Sequence, residues 1–167
     1  MNDTDNRGSP FWRFSLRFYR QLGVADAFIA LQEQSGVDVN LLLYLLWHAR
    51  DGRSFTIAEV EAVERRIAPW RESTVVPLRG VRRALKTPPA LVEAPAAEVF
   101  RNRIKAVELE AERLQQEAMY AIGAPSGEPP ASPAAAARAS IAAYEKVRAR
   151  PFAQPAVETL LSQFCAM

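Results

Sequence analysis

The sequence predicts an all-α protein, and three observations lead to that class. Apolar residues recur at spacings of three and four along most of the 167 residues, proline and glycine separate these stretches, and no alternating run of β-branched residues lies between turn signals. A chain of this length buries about 70% of the surface that its unfolded form exposes, so it builds a core without a disulfide or a structural metal. We therefore expect a compact multi-helix bundle of about six helices with an appended C-terminal helical tail.

The first 50 residues contain signals for three helices. A Ser-Pro pair at Ser9 supplies an N-cap and a proline at the first helical position, so a helix is expected over 11–22. Glycines on either side delimit a second helix over 24–35. Asp38 is a good N-cap for a third helix over 39–50. This third helix is apolar nearly all round and is therefore predicted to be central.

Asn40 is the polar exception on the third helix. An unpaired buried amide costs about 1–3 kcal/mol, so we expect this side chain to form a hydrogen bond with a neighbouring loop.

Two shorter helices are predicted next. A Thr-x-x-Glu capping box at Thr56 starts a helix over 57–68, and Pro69 is expected to close it. A further helix lies within 70–86, with Pro77 in its first turn.

The longest helix is predicted over 96–122. Its apolar residues repeat at alternating steps of four and three, which produces a single apolar seam with charged flanks. The seam consists of Phe100, Ile104, Val107, Ala111, Leu114, Ala118 and Ala121.

Prolines and glycines then divide the chain into four regions. These are a flexible N-terminus at 1–9, a helical core domain at 10–122, a Pro/Gly/Ala linker at 123–133 and a C-terminal helical extension at 134–167. The extension is expected to hold an alanine-rich helix ending at Arg150 and a short helix over 155–164. The sequence leaves open whether these two helices dock on the core.

Composition and missing motifs exclude several functional classes. One His and one Cys are too few for a zinc finger or a di-iron centre, and the glycine-rich phosphate-binding motifs are absent, so we predict no metal site and no cofactor. The net charge of +2 does not suggest a nucleic-acid binder. The polar N-terminal residues do not resemble a secretory signal, and no apolar run approaches the roughly 20 residues that cross a bilayer. We expect a cytoplasmic protein with no membrane span.

A row of basic side chains on one helix is the first candidate site. It consists of Arg79, Arg82, Arg83 and Lys86. Such a row is suited to hold an anion, which could be a phosphate metabolite, an anionic lipid, a nucleic-acid backbone or an acidic partner. Glu108 and Glu112 form a matching acidic stripe on the longest helix, however, and cross-helix ion pairs would explain both rows without any ligand. Both interpretations stay open.

A dense group of aromatic residues is the second candidate site. The group is Phe11, Trp12, Phe14 and Phe18. It serves either as core packing or as an apolar contact surface for a partner, and the spread of apolar residues over more than one face of this helix is the sequence hint of an external contact.

Three segments carry a resemblance to a known family. They are F-W-R-F-S-L-R-F-Y at 11–19, G-V-A-D-A-F-I-A-L-Q at 23–32 and G-V-D-V-N-L-L-L at 36–43, and the segments at 77–86 and 105–116 fit the same pattern. Together they resemble a small, mainly proteobacterial family of uncharacterised helical proteins, a domain of unknown function. The resemblance spans about residues 10–122 and implies a helical bacterial protein, and it transfers no catalytic residue.

Three functional hypotheses follow. The leading one is a non-enzymatic protein-interaction or regulatory module whose partner contacts the aromatic helix and the basic row. The alternative is a helical binder of a small anionic or amphipathic ligand. The third is an enzyme that uses Glu108, Glu112 and His48, although no nucleophile or metal partner for them is identifiable in the sequence.

Overall fold

The chain folds as an all-α bundle, as predicted. The computed structural model describes residues 8–124 and 131–167, so most of the expected flexible N-terminus and the middle of the expected linker lie outside the described residues. The helices are α1 (Pro10–Tyr19), α2 (Val24–Ser35), α3 (Val39–Ala49), α4 (Ile57–Trp70), α5 (Val76–Ala84), α6 (Ala94–Tyr120), α7 (Pro133–Arg148) and α8 (Gln154–Cys165). The described residues contain no strand.

The central position of α3 is confirmed. The Asp38 carboxylate caps this helix by accepting a hydrogen bond from the backbone N–H of Leu41 at 3.1 Å. Leu41, Leu42, Leu45 and Leu46 are fully buried. α1, α6 and α7 pack around α3, so each side of this apolar helix meets another helix.

Pro69 does not close α4, contrary to the expectation from the sequence. The helix continues through Pro69 to Trp70 and passes without a break into α5 through a π-helical segment, Arg71–Val75. Proline removes one backbone N–H and crowds the preceding turn, yet α4 stays helical across it, and the π-helical segment begins two residues later. A tertiary contact holds the segment, because the indole Nε1 of Trp70 donates to the carbonyl oxygen of Ala111 at 3.0 Å.

The two C-terminal helices dock on the bundle and share its core. α7 packs on α3 and α4, while α8 packs on α2. Tyr144 in α7 and Leu160 in α8 are both fully buried. A backbone contact ties the start of this region to the turn after α3, since the N–H of Ala131 donates to the carbonyl oxygen of Gly52 at 2.8 Å. Gly52 has φ +71°, and a Cβ atom there would lie 2.1 Å from the Ala131 oxygen, so this close approach requires glycine.

α6 buries a face that shares only Ala111 with its apolar seam. The buried residues of the helix are Ala97, Glu108, Ala111, Gln115, Gln116 and Met119. Phe100, Val107 and Leu114 of the seam remain 50, 51 and 45% exposed. The helix therefore turns several polar side chains toward the bundle and leaves much of its apolar seam facing outward.

Candidate functional site

An open cavity of about 550 Å³ lies between α1, α2, α3, α5 and α6. Its volume falls within the range of small-molecule sites, roughly 300–1,000 Å³. The apolar part of its wall consists of Trp12, Leu16, Tyr19, Ile29, Val39, Leu43 and Leu109. The charged part consists of Arg20, Glu33, Arg79, Arg82, Arg83, Lys86, Lys105, Glu108 and Glu112. The cavity is therefore amphipathic.

Exposed apolar side chains form part of the wall. Tyr19, Ile29 and Leu109 are 39, 44 and 48% exposed, and they come from three different helices. The ring of Tyr19 lies parallel to that of Phe28, with centroids 5.8 Å apart, so its orientation is set by stacking on the core. Grouped exposed apolar surface of this kind is typical of a binding region.

The cross-helix ion pairs that the basic and acidic rows predict are present. Arg79 donates to Glu108 at 3.2 Å and to Glu112 at 3.0 Å, and Arg82 also donates to Glu108. The hydrogen bond with Glu108 raises the pKa of Arg82. Burial raises the pKa of Glu112, although Arg79 opposes that shift. This cluster fastens α5 to α6 and neutralises two of the four predicted basic residues.

Arg83, Lys86 and Lys105 are not neutralised in the same way. Arg83 meets Glu33 at 3.5 Å, and both side chains are at least half exposed, so this contact is weak. Lys86 and Lys105 form no hydrogen bond or ion pair within residues 8–124 and 131–167. Six cationic and three acidic side chains line the cavity, which leaves a net charge of +3.

Two buried oxygens in the wall have no hydrogen-bond partner. They are the Oγ of Ser15 and the Oε1 of Gln116, whose residues are 3 and 2% exposed. The Nε2 of Gln116 donates to the Oδ1 of Asn40 at 2.8 Å. The partner of Asn40 is therefore a side chain on α6, and the expectation of a loop partner is wrong. Both oxygens are enclosed by the protein, so they are not free acceptors on the cavity surface.

A smaller cavity of about 200 Å³ shares part of this wall. The Oδ2 of Asp38 accepts hydrogen bonds from Arg71 at 3.1 Å and from Gln115 at 3.2 Å. Burial lowers the pKa of Arg71, but its contacts with Glu64 and Asp38 outweigh that effect and raise it overall. This polar network joins the N-terminus of α3 to the π-helical segment and to α6.

A family model for proteins of unknown function matches residues 10–119, about two thirds of the chain. The chain belongs to the DUF2390 family. No curated protein and no solved structure matches it. Every residue that lines the larger cavity lies between Trp12 and Gln116, so the DUF2390 segment contains the whole cavity wall. α7 and α8 lie beyond the DUF2390 match, yet they complete the core of the same bundle.

The aromatic residues on α1 of this DUF2390 protein are divided between core and cavity. Phe11, Phe14 and Phe18 are at most 1% exposed and belong to the core, so they offer no free surface. Trp12 is 6% exposed and is the member of the group that lines the cavity.

His48 lies away from the two glutamates. It follows Asn40 by eight residues on α3, or about 12 Å along the helix axis, and packs against the rings of Tyr44 and Phe55. Burial lowers its pKa to about 4. The structure thus brings Glu108 and Glu112 together at the cavity and does not bring His48 to them.

Sequence reasoning did not single out several residues of the cavity. Ser15, Gln32 and Gln116 carry no spacing signal that distinguishes them from ordinary helical surface. Lys105 precedes Glu108 and Glu112 by three and seven residues, so its spacing places it on the same face of α6 and is a signal that the sequence did contain.

In the described ranges, no group of three or more His, Cys, Asp or Glu side chains is arranged to hold a metal ion. No helix within those ranges is both long and apolar enough to traverse a lipid bilayer.

Proposed function

We propose that the protein binds a small amphipathic anion in the larger cavity, namely a molecule with one acidic group and an apolar body. The observation that carries this proposal is the division of a single cavity wall into an apolar region and a region of excess positive charge. No catalytic step is part of the proposal.

The acidic group of the ligand is assigned to Lys86 and Lys105. Both line the cavity, and neither has a partner among the described residues. Arg79 and Arg82 are already bound to Glu108, so they shape the wall and add positive potential but are not assigned to the acidic group of the ligand. A charge-assisted hydrogen bond to an ammonium group is about twice as strong as a neutral one, which favours a carboxylate, sulfonate or phosphate.

The apolar body is assigned to the opposite part of the wall. Leu16, Ile29 and Leu109 supply aliphatic surface from three helices, and Tyr19 supplies an aromatic edge.

Fluorescence titration with 1-anilinonaphthalene-8-sulfonate tests the proposal. We expect saturable binding of one probe per chain, and we expect decanoate to displace it. Decanol has the same chain length without the charge and should compete at least about tenfold more weakly, equivalent to 1.4 kcal/mol. Near-ultraviolet circular dichroism confirms that the probe reports a folded protein, because the same dye binds loosely packed states.

Two sets of variants assign the binding to this cavity. Lys86→Glu/Lys105→Glu should weaken probe binding at least about tenfold, whereas Lys146→Glu/Arg150→Glu makes the same change in net charge on exposed residues outside the cavity and should leave it unchanged. Ser15→Leu should obstruct the cavity. The proposal is overturned if the wild-type protein binds neither probe, or if both double variants weaken binding equally.

A protein-interaction role is the second candidate function. The observation that favours it is the half-exposed apolar seam of α6, which faces away from the cavity and is not explained by a small ligand.

A further inference from the structure

The helical hairpin formed by α5 and α6 is poorly covered by the rest of the bundle. Between residues 76 and 107 only Ala97 is buried, and α5 contributes no buried residue at all. Large apolar side chains are exposed along this stretch, including Leu91 at 94% and Val99 at 58%. Amphipathic helices normally bury their apolar face, so this hairpin presents a surface that fits another molecule.

One face of α6 carries a self-complementary pattern, which we call the α6 stripe. It consists of Phe100, Arg103, Val107, Glu110 and Leu114, at successive steps of three and four residues. These steps place all five side chains on one side of the helix. All five are exposed, and none of them lines the cavity on the other side of α6.

The α6 stripe complements a second copy of itself that runs in the opposite direction, with Val107 at the centre. Phe100 and Leu114 are each seven residues from Val107, so in an antiparallel pair of α6 helices Phe100 of one copy faces Leu114 of the other. Arg103 and Glu110 lie on opposite sides of Val107, so the same pairing places each arginine opposite a glutamate. A twofold axis through Val107 thus satisfies the apolar and the charged positions together.

The charges of the α6 stripe are available for such a pairing. Arg103 has no hydrogen bond or ion pair within the described part of the chain. Glu110 is bound to Arg113 at 2.6 and 2.9 Å, in an exposed pair one turn away on the same helix. Pairs of that kind contribute roughly 0.3–0.5 kcal/mol, so Glu110 can be shared with a second arginine.

We propose that the α6 stripe is the interface of an antiparallel homodimer, with a second copy of this chain as the partner. A partner of another sequence has no need for a surface that complements itself on reversal, whereas a twofold homodimer requires one. The α6 stripe lies apart from the ligand cavity, so this proposal stands or falls independently of the proposed ligand binding.

Sedimentation equilibrium of the full chain and its charge variants tests the pairing. We expect the wild-type chain to dimerise, and Arg103→Glu or Glu110→Arg alone to raise the dimer Kd at least about tenfold. Arg103→Glu/Glu110→Arg exchanges the charges and should restore dimerisation to near the wild-type Kd. Arg65→Glu makes the same charge change as Arg103→Glu, but on an exposed residue of α4, and is the matched control. A monomeric wild-type chain at the highest soluble concentration, or a double variant no better than the single ones, overturns the proposal.

A disulfide at the twofold axis provides a second measurement. In a Cys165→Ser background, Val107→Cys should form a covalent dimer under mild oxidation, because the two copies of position 107 face each other. Leu22→Cys places a thiol on a side chain that is 86% exposed and outside the α6 stripe, and it should crosslink far more slowly. Equal crosslinking of the two variants contradicts the antiparallel arrangement. Far-ultraviolet circular dichroism verifies that each variant retains its helices.

Discussion

The backbone N–H of Asp38 donates a hydrogen bond to the hydroxyl oxygen of Tyr144 at 2.8 Å. This contact joins the N-cap of α3 to a buried residue of α7, across 106 positions of the sequence. The hydroxyl of Tyr144 is therefore a structural group, and burial raises its pKa so that it stays protonated. The cap of the central helix depends on a residue that lies beyond the DUF2390 match.

Tyr144→Phe is expected to destabilise the fold by about 1–2 kcal/mol, because it leaves the buried N–H of Asp38 without an acceptor. Urea unfolding of the two proteins measures the difference. Tyr120→Phe is the control, since Tyr120 is 43% exposed and its hydroxyl forms no hydrogen bond among the described residues. An equal effect of the two substitutions would contradict the assigned role.

Removal of residues 124–167 is expected to abolish cooperative unfolding. α7 and α8 cover α3 and α2, and their loss exposes apolar faces that are fully buried in the intact chain. The thermal transition followed by circular dichroism should broaden, and binding of a hydrophobic dye should rise. A sharp transition in the shortened chain would show that the family segment folds by itself.

Glu108→Ala is expected to cost about 2–3 kcal/mol of folding free energy. Glu108 is 5% exposed and accepts hydrogen bonds from both Arg79 and Arg82. Its removal leaves the positive charges of two neighbouring guanidinium groups with less negative charge to balance them. Glu98→Ala is the matched control on the same helix, because its pair with Arg101 is exposed and should contribute less than about 1 kcal/mol. Similar losses in the two variants would argue against a special role for the buried cluster.

His48 should make the protein less stable in mild acid. Burial lowers its pKa from 6.5 to about 4, with Arg53 acting in the same direction and Asp51 opposing it. Between these two values the unfolded chain binds a proton that the folded chain does not, so the stability that is present above pH 6.5 falls as the pH decreases toward 4. We expect the free energy of unfolding to drop by about 2 kcal/mol between pH 7 and pH 5.

The His48→Leu variant isolates this contribution. Leucine suits the apolar surroundings formed by Tyr44 and Phe55 and does not titrate. The variant should therefore lose most of the decrease in stability between pH 7 and pH 5. If the variant and the wild-type chain show the same pH dependence, other groups are responsible.

Local signals in the sequence predicted the helices well. The Asp38 N-cap, the capping box at Thr56 and the proline in the first turn of α5 are all present in the structure. Such signals act within one helical turn, so the residues that carry them are neighbours in the sequence. Pro69 was the exception. The local rule predicts that the helix ends at this proline, but the helix continues to Trp70, which forms a hydrogen bond with Ala111.

The candidate site was only partly predictable. The basic row and the glutamates on α6 were recognised from their spacing, and two members of the row, Arg79 and Arg82, do meet these glutamates. The apolar wall comes from α1, α2, α3 and α6, and no pattern within one segment shows that Leu16, Ile29 and Leu109 converge. Convergence of this kind depends on how helices cross, which side-chain packing decides.

The sequence by itself determined the all-α class, the approximate helix bounds and the central position of α3, because helix formation and capping depend on residues a few positions apart. Only the tertiary structure decided which face of α6 is buried, where the C-terminal helices dock and where the cavity opens. The spacing of the seam that includes Phe100 and Val107 is typical of a buried face. In the structure Glu108 and Gln116 are buried instead, because Glu108 binds Arg79 and Arg82 and Gln116 binds Asn40. The burial of a helical face depends on the partners that all other helices offer to it, and those partners are separated from it by many residues of chain.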